Sequence, residues 1–478
     1  MPESGTAFVS GVFNVVHPGH MRLLRFAKEL RGTLVVGILS DQLAGSAASV
    51  RERDRLEGVR SLRFVDEAFL IEEPLEDVIL DLKPDVVVKG REHELGWNLE
   101  KDVVDSYGGS LLFGSGEVFV DGEDYLGLDG GIVERAQVRL PMAFMERHGI
   151  TADRLLGILE DFKQRSVVVV GDVMADEYIS CHALGMSQED PTVVVTPIDS
   201  ELFLGGAGIV AAHAAGLGSR SALFSVVGAD DTAEFIRASL QDCGVETTLI
   251  EDANRPTTLK QRYRAAGKTL LRVSHLQQGP IAEQLQQQLG DEVHKQLSNA
   301  DVLIFSDFNY GCLPQAVVAR ICSDAQADGI VLAADSQSSS QVGNVARFKG
   351  MHLITPTERE ARLATRNSDD GLVVLADELR ELAQARLVFL TLGGDGVLIR
   401  GQDTDEPAIT DQVAALNQRP FDVAGAGDSM LVVSALAIAC GASGMEAAVL
   451  GSVASAIQVS RIGNTPLAIA DIQGVLKQ

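Results

Sequence analysis

Two histidines three residues apart, His17 and His20, lie in the segment GVFNVVHPGH at positions 11–20. If a helix begins at Pro18, the missing N–H of that proline costs nothing, and Gly19 leaves the helix N-terminus open to close approach. Backbone N–H groups and two imidazoles can then stabilise the charge that grows on a polyphosphate during group transfer. The segment predicts a phosphate-transfer site; for an isolated pair, a strand-to-helix turn with incidental histidines is the simpler interpretation.

A second constellation is DVAGAGDSM at positions 422–430. Gly425, Ala426 and Gly427 are small enough for successive backbone N–H groups to converge on an anion at the start of the apolar helix that follows. Asp428 follows directly, where its carboxylate could accept a proton from an attacking hydroxyl. The simpler alternative is a glycine-rich turn that caps a helix through its aspartate.

The elements that position these residues alternate between β-rich runs and amphipathic helical stretches, which predicts parallel α/β sheets. The alternation weakens after about residue 113, and a helical stretch, TADRLLGILEDFKQR, precedes a new strand, SVVVVGD. We expect a domain at 1–125, a linker with a helix at 126–164 and a larger α/β domain at 165–478. The run PTVVVTPIDSELF predicts a β insertion near the start of the second domain.

Composition limits the partners. The 478 residues include 40 Lys and Arg against 67 Asp and Glu, and the net charge of −27 disfavours nucleic acid and anionic membrane. Small anionic substrates would need locally placed cations. The five cysteines have no framework spacing, and no basic segment followed by an apolar one opens the sequence. We therefore expect a cytoplasmic protein without disulfides.

The first constellation, with RFAKELRGTLVVGILSD and PDVVVKG after it, resembles the nucleotidyltransferase superfamily with its GxFDxxHxGH signature. The resemblance covers about the first 115 residues and implies a Rossmann-like domain that binds ATP or CTP. It implies that His17 and His20 stabilise the α-phosphate transition state and that Lys28 neutralises the triphosphate. Further nucleotide or phosphate contacts would come from Gly11, Phe13, Lys89 and Arg55, with Asp41 at the ligand-bearing end of its strand.

This sequence departs from the superfamily pattern at two places. Asn14 stands where many members have Asp. The Ser/Thr-rich motif that holds nucleotide phosphate should fall near GSGEVFVDGEDYLG, where the sequence has Asp121, Glu123 and Asp124. Clustered carboxylates repel a triphosphate unless they hold Mg²⁺.

The second part of the chain resembles the ribokinase-like sugar kinases along its whole length, on VVVVGDVMADEY, FLGGAGIVAAHAAGLG, LTLGGDGVLI and DVAGAGD. The resemblance implies an α/β domain with a β lid, ATP as phosphoryl donor, and Mg²⁺ contacted through water by Glu360. Asp428 would be the catalytic base, and Asp172, Gly205, Gly206 and Arg262 would bind the sugar. Phosphate would be held by Gly425, Ala426 and Gly427, and nucleotide by Thr391, Gly393 and Gly396.

The acceptor pocket departs from that family. Thr357 and Ile209 stand where asparagines are common, and LAADSQSSS lacks a lysine found after the Asp in related enzymes. Lys260, Arg262 and Arg264 alternate along a strand-like segment. A solvated strand face is the default interpretation of such a run, and a clamp for the phosphate of a sugar phosphate is the alternative.

Together, the two parts resemble the family of bifunctional heptose-phosphate kinase/adenylyltransferases, with the domain order reversed. That resemblance implies a Mg²⁺- and ATP-dependent enzyme that phosphorylates a sugar or sugar phosphate and forms a nucleotide sugar with release of pyrophosphate. One alternative is an active sugar kinase with a non-catalytic nucleotide-binding N-terminal domain, and another is a ligand-sensing pseudoenzyme. The lid of ribokinase-like enzymes often pairs between subunits, so we expect a homodimer.

Overall fold

The computed structural model describes most of the chain, and its contacts divide the chain into two compact units. Unit 1 comprises Met1–Val133, Ser368–Asp377 and Thr410–Ala414, and unit 2 comprises Glu134–Asn367, Glu378–Ile409 and Ala415–Gln478. The described residues exclude 1–4, 15, 17, 46–47, 49, 91–97, 115–137, 188–189, 191, 266–267, 328, 339–342, 403–408 and 418–419. At 18, 19, 99 and 327 only the backbone is described.

Unit 1 is built on a five-stranded parallel sheet in the order β3-β2-β1-β4-β5. Successive strands are added to one side of β1 up to β3 and to its other side from β4 onward. Ligands of open parallel sheets bind at the carboxyl ends of the strands where the strand order switches in this way. The strands are β1 (Thr6–Gly11), β2 (Thr33–Leu39), β3 (Glu67–Ile71), β4 (Val86–Gly90) and β5 (Ser110–Gly114). The helices between them are α1 (Pro18–Leu30), α2 (Asp41–Ala44), α3 (Glu52–Arg60), α4 (Leu75–Leu82) and α5 (Leu99–Ser106).

Unit 1 also includes a segment that is distant in sequence. The Glu29 carboxylate accepts a hydrogen bond from the backbone N–H of Val373 at 3.0 Å, at the N-terminus of α13 (Leu372–Ala383). A Cβ on Gly371 would overlap this carboxylate. Burial raises the pKa of Glu29 to about 7. The contact accounts for the inclusion of residues 368–377 in this unit.

Strands β10 to β17 of a nine-stranded sheet, whose order is β10-β9-β6-β13-β14-β15-β16-β17-β18, belong to unit 2. Its pairings are parallel from β10 to β16, and β16 and β17 are antiparallel. Val167 to Val170 in β6 have no exposed surface, as expected for a parallel strand covered on both faces. The strands are β6 (Ser166–Gly171), β9 (Arg220–Val227), β10 (Glu246–Glu251), β13 (Val302–Asp307), β14 (Val331–Ser336), β15 (Leu353–Ile354), β16 (Leu387–Thr391), β17 (Val397–Gly401) and β18 (Ile409–Val413).

A separate four-stranded sheet forms the β insertion expected near the start of unit 2. Its order is β12-β11-β7-β8, and we call it the lid. Its strands are β7 (Val173–Met186), β8 (Val193–Gly206), β11 (Thr258–Ala265) and β12 (Lys268–His275). Strand β11 runs parallel to β7 and antiparallel to β12. Every second residue of a strand points to the same face, so Lys260, Arg262 and Arg264 share one face of the lid.

The other helices of unit 2 include two that are almost wholly buried. Helices α14 (Ala426–Ala439) and α15 (Gly444–Gln458) pack closely, and a Cβ on Gly451 would lie 2.3 Å from the Ser434 hydroxyl. Within the described residues, none of the helices combines the length and hydropathy that a membrane crossing needs. The remaining helices are α6 (Met142–Arg147), α7 (Ala152–Asp161), α8 (Ala207–Gly216), α9 (Asp231–Asp242), α10 (Glu283–Leu297), α11 (Gln315–Ala327), α12 (Glu358–Thr365) and α16 (Ile469–Leu476).

Candidate active sites

The N-terminus of α14 brings together the residues expected to hold a phosphoryl group. Gly425 caps the helix with φ of 75°, a conformation that glycine adopts without strain. A Cβ added at Gly427 would have no atom within 4 Å, so the first turn of the helix faces open space. The amides of Gly425, Ala426 and Gly427 are therefore in the position of a helix N-terminal anion site.

Asp428 lies in the first turn of α14 and is 4% exposed. Burial raises the pKa of its carboxyl to about 7, with Lys260 lowering that pKa and Asp176 raising it. A carboxyl group with a pKa near 7 can accept a proton at neutral pH and release it again. The environment of Asp428 is suited to the role of a general base.

Asp172, the predicted sugar contact, is 4% exposed and is engaged by groups of the fold, so its contact with a sugar stays a prediction. Both oxygens of Asp172 accept backbone N–H groups of the loop that follows β13, with Phe308 at 2.9 Å and Tyr310 and Cys312 at 3.1 Å. Burial and the neighbouring Asp307 raise the pKa of Asp172 to about 6. Asp172 therefore anchors this loop.

Asp176 lies on β7, four residues further along, and is one of the neighbours that affect the pKa of Asp428. Its carboxylate binds Arg262 at 3.0 Å and the Asn464 side-chain amide at 3.4 Å. A Cβ on Gly205 would lie 2.6 Å from the Asp176 carboxylate, so glycine is required at this position for close approach. Gly206 has φ of 57° and lies against the Asp172 carbonyl. The predicted residues Gly205 and Arg262 thus meet at Asp176.

Lys260 occupies the same lid face as Arg262. Its Nζ lies 4.6 Å from the ring centroid of Phe308 and 5.2 Å from that of Tyr310, both in the loop that Asp172 anchors. Such cation–π contacts hold an ammonium group in place. Arg262 and Arg264 lie 5.4 and 5.2 Å from the ring centroid of Tyr178 on β7. Strand β11 therefore presents a cationic face that packs against aromatic rings, and this face is not a solvated one.

Asp335 lies near Asp428, and Glu360 lies near Asp335. Glu360 closes a capping box with Thr357, and its other oxygen accepts the N–H of Ser338 at 2.7 Å. Burial raises the pKa of Asp335, at the end of β14, well above its usual range, and Glu360 and Asp428 raise it further. The Asp335 Oδ1 atom is buried without a hydrogen-bond partner. An uncompensated acid of this kind fits a cation or its water shell.

Within the described residues, His, Cys, Asp and Glu side chains do not gather in groups of three that could hold a metal ion directly. Mg²⁺ usually keeps several of its water ligands, so a site contacted through water would not require such a group. Glu360 and Asp335 are the residues that would contact such waters, and the ion would neutralise charge between donor phosphates.

The predicted nucleotide contacts Thr391, Gly393 and Gly396 lie at the end of β16 and in the turn after it. The Thr391 N–H donates to the Pro356 carbonyl at 2.8 Å, and Thr391 bridges to Thr357 at the start of α12. Gly393 and Gly396 adopt positive φ angles of 60° and 91°. The turn is thereby fixed beside the helix that carries Glu360, and its contact with nucleotide stays a prediction.

In unit 1, the signature segment lies between the carboxyl end of β1 and α1. His17 and the carboxylates Asp121, Glu123 and Asp124 lie outside the described residues. His20 is half-buried, and its ring centroid lies 5.0 Å from that of Phe13. Phe13 has φ of 51°, unusual for a bulky residue, and a Cβ on Gly11 would lie 3.1 Å from its ring. The Phe13 ring thus packs between Gly11 and His20.

Two predicted phosphate contacts in unit 1, Lys28 and Arg55, are engaged by groups of the fold, and their contact with phosphate stays a prediction. Lys28, in the last turn of α1, donates to Asp66 at 2.5 Å and to the Gly32 carbonyl at 2.7 Å. It lies eight residues along the helix from His20, about 12 Å at 1.5 Å per residue, at the opposite edge of the sheet. The Arg55 side chain has no exposed surface, and its guanidinium donates to Asp41 at 2.6 Å and to three backbone carbonyls, those of Val12, Leu39 and Val50.

Lys89 is at the expected edge of the sheet, on β4, and it is paired. Its Nζ lies 2.7 Å from a Glu100 carboxylate oxygen on α5, and both side chains are largely buried. Asp41 begins α2 directly after β2, as expected, and its hydrogen bond to Arg55 lowers its pKa. The three basic residues that the sequence suggested for unit 1 are therefore each paired with a carboxylate.

Comparison with known proteins finds a different family in each of the two parts of the chain. Residues 164–469 match the model of the pfkB family carbohydrate kinases, and residues 8–115 match that of the cytidylyltransferase-like proteins. The first match covers more than half of the chain. The chain belongs to the pfkB family of carbohydrate kinases. Its N-terminal domain is cytidylyltransferase-like and precedes the kinase domain.

Several curated relatives of this pfkB-family chain carry the name Bifunctional protein HldE. The protein from Caulobacter vibrioides is 32% identical over 332 residues, which cover 67% of this chain and 65% of the relative. The protein from Bradyrhizobium diazoefficiens is 30% identical over 318 residues, covering 65% and 62%. The aligned part of the chain thus spans less than two thirds of the length of these relatives.

Solved structures share the kinase fold. Phosphofructokinase-2 from Escherichia coli in complex with potassium superposes with a TM-score of 0.53 at 21% identity, covering 66% of this chain and 98% of that structure. Arabidopsis thaliana ribokinase complexed with ribose and ATP gives a TM-score of 0.52 at 17% identity, covering 66% and 99%. These likenesses confirm the ribokinase-like fold predicted for the second part of the chain.

Sequence reasoning missed three residues of the kinase site. Asp335 ends a buried strand, and an acid at the carboxyl edge of a parallel sheet is a signal that could have identified it. Asp176 follows Asp172 by four residues, and the sequence does not say which of the two carboxylates faces the cleft. Asn464, in the segment before α16, has no sequence signal because its contacts join three distant parts of the chain.

Proposed function

We propose that this protein is a bifunctional, Mg²⁺-dependent enzyme. Unit 2 phosphorylates a hydroxyl of a sugar or sugar phosphate with ATP, and unit 1 activates a sugar phosphate as a nucleotide sugar with release of pyrophosphate. The observation that carries the proposal is Asp428, buried with a pKa of about 7, beside the backbone amides that begin α14. The pfkB and cytidylyltransferase-like matches support the two activities.

Phosphoryl transfer in unit 2 uses few groups. Asp428 accepts the proton of the acceptor hydroxyl, whose oxygen forms a bond to the γ-phosphorus of ATP while the bond to the ADP oxygen breaks. The amides of Gly425, Ala426 and Gly427 stabilise the charge on the transferred group. When bound, Mg²⁺ would neutralise donor phosphate charge, and Glu360 and Asp335 would hold it through water.

The acceptor is a sugar that carries a phosphate. Lys260, Arg262 and Arg264 share one face of the lid, next to the two carboxylates Asp176 and Asp428. Three cations thus lie together beside Asp176, which would contact the acceptor, in a chain whose net charge is −27. Arginine and lysine bind phosphate through charge-assisted hydrogen bonds, so an anionic acceptor is favoured. A heptose 7-phosphate fits this description, in keeping with the relatives.

A second candidate is a sugar kinase whose unit 1 binds nucleotide without transferring it. The pairing of Lys28, Arg55 and Lys89 with Asp66, Asp41 and Glu100 favours it, because a paired cation contributes less to the stabilisation of a triphosphate. His20 and the cytidylyltransferase-like match favour the bifunctional enzyme. The nucleotide of unit 1 is ATP or CTP.

The test measures ADP and pyrophosphate separately, with Mg²⁺ and ATP or CTP, over sugars, hexose phosphates, a heptose 7-phosphate and their 1-phosphates. Asp428→Asn should lower ADP release by about 10²- to 10⁴-fold and leave pyrophosphate release unchanged. His20→Ala should do the reverse. ADP release without any pyrophosphate would favour the second candidate, and the absence of both products would refute the proposal.

We also propose that the protein is a cytoplasmic homodimer. All five cysteines are free thiols, which is usual in a reducing compartment. Large apolar side chains are exposed on the lid strands, which supports pairing between two lids. They are Leu184, Met186, Val193, Val194, Ile198, Leu202, Leu270 and Leu271.

A further inference from the structure

Tyr178 connects the lid to the loop that precedes α14. Its hydroxyl, on β7, donates a hydrogen bond of 2.6 Å to the Asp422 Oδ2 atom, 244 residues away in sequence. Tyr178 is 6% exposed, and this burial raises the pKa of its hydroxyl, so the group keeps its proton and remains a donor at neutral pH. A short bond to a carboxylate belongs to the stronger class of hydrogen bonds.

Asp422 binds the backbone at Ala424, directly before Gly425, and at Gly463 in the segment that packs on Gly425. Its Oδ1 atom accepts the N–H of Ala424 at 3.1 Å, and its Oδ2 atom accepts the N–H of Gly463 at 3.2 Å. Next to Gly463, Asn464 packs so closely on Gly425 that a Cβ there would lie 2.5 Å from its Oδ1 atom. The geometry of the Gly425–Gly427 amides therefore depends on where the Asp422 carboxylate is held.

The Tyr178 ring is in turn held by the lid. Arg262 and Arg264 of β11 lie against it, and Phe203 of β8 meets it edge-on with ring centroids 5.1 Å apart. Gly463 has φ of 69°, and a Cβ there would lie 2.6 Å from the Phe203 ring. The hydroxyl of Tyr178 can thus reach Asp422 only when the lid strands that carry Arg262 and Asp176 are in place.

We infer that Tyr178 is a positioning residue for phosphoryl transfer, and that its hydroxyl makes the backbone cradle at Gly425–Gly427 depend on the lid. This inference rests on the proposed kinase function. Tyr178 contacts neither the γ-phosphate nor the acceptor hydroxyl in this scheme; it acts through Asp422. Loss of the hydroxyl should therefore slow transfer and leave the binding of the acceptor by Asp176 and the lid cations nearly intact.

The first experiment compares Tyr178→Phe with the wild type in the full-length chain. Phenylalanine keeps the ring contacts and removes only the donor. With ATP, Mg²⁺ and a heptose 7-phosphate, we expect kcat for ADP release to fall about tenfold and KM for the sugar phosphate to stay within about twofold. Tyr263→Phe, on the opposite face of the neighbouring strand β11, is the matched control and should leave kcat unchanged. An unchanged kcat in Tyr178→Phe would overturn the inference.

A double-mutant cycle with Asp422→Ala separates positioning from general loss of structure. If Tyr178 acts through Asp422, adding Tyr178→Phe to Asp422→Ala should lower kcat by less than twofold more. The inference would be overturned if Tyr178→Phe lowered kcat equally in the wild-type and Asp422→Ala backgrounds. It would also be overturned if the fall in kcat merely accompanied a fall in the thermal midpoint of unfolding. A wild-type protein that releases no ADP with any acceptor would instead refute the kinase proposal.

Discussion

At the scale of single residues, the kinase site depends on how charges are balanced around Asp428. The groups that face its carboxyl are Lys260 on the lid, Asp176 on β7 and Asp335 at the end of β14. Burial and Asp176 favour the neutral form of Asp428, and Lys260 favours the ionised form. The lysine thereby keeps a buried acid able to accept a proton near neutral pH.

Replacement of Lys260 by Met tests this balance. Without the cation the ionised form of Asp428 is less stable, so its pKa should rise above about 7. The acidic limb of the kcat profile for ADP release, measured between pH 5.5 and 9, should move to higher pH by about one unit. Lys260→Arg should retain most of the wild-type profile. Lys268→Met, an exposed lysine on β12, is the matched control, and an unshifted limb in Lys260→Met would contradict the assignment.

Three of the predicted site residues have partners within the fold that the sequence does not reveal. Asp172, Arg55 and Lys28 each belong to a motif, but their hydrogen bonds go to groups that only the folded chain supplies, such as the loop amides at Asp172. A motif fixes the type of residue and its distance along the chain. It does not fix which of two acids four residues apart faces the cleft, as Asp172 and Asp176 demonstrate.

At the scale of elements, the start of α14 places two glycines in different roles. Gly425 requires glycine for its positive φ and for its contact with Asn464. Gly427 is already in the helix, and nothing would obstruct a methyl group there. The open space at Gly427 is where the proposed function puts the γ-phosphate of ATP.

Gly427→Ala should therefore separate folding from function. Alanine is favoured over glycine inside a helix by about 1 kcal/mol, so the free energy of unfolding should stay equal or rise. The added methyl group should occupy the phosphate space and lower kcat/KM for ATP by at least about tenfold. Gly474→Ala, at an exposed and equally unobstructed position in α16, is the matched control and should change only stability. Equal activity in the two variants would argue against a phosphate cradle at α14.

The elements themselves were largely predictable. The alternation of apolar runs and amphipathic stretches predicted both parallel sheets, and the run at 192–203 predicted the β insertion that forms β8 of the lid. The lid as a four-stranded sheet was harder to predict, because its strands come from two segments separated by α8, β9, α9 and β10. Pairing between β7 and β11 is a tertiary contact, and the local pattern does not determine such contacts.

At the scale of the whole molecule, the lid has a surface that one chain does not cover. Strands β7 and β8 continue as a two-stranded ribbon, on which Leu184 and Met186 are each 62% exposed and Ile198 is 69% exposed. Strand β8 is also an edge strand with unpaired backbone groups. Exposed edges and exposed apolar patches are both unfavourable in an isolated monomer.

If two lids cover each other, the protein should elute as a dimer with twice the 50.9 kDa mass of one chain. Ile198→Asp places a charge in that apolar surface, and a charge buried there without a partner would cost several kcal/mol. Light scattering should then detect a monomer at micromolar concentration, with the thermal midpoint little changed because Ile198 is exposed within its own chain. Leu80→Asp, at a 41% exposed position on α4, is the matched control and should remain a dimer. A monomeric wild type, or a dimeric Ile198→Asp variant, would show that this ribbon does not form the subunit interface.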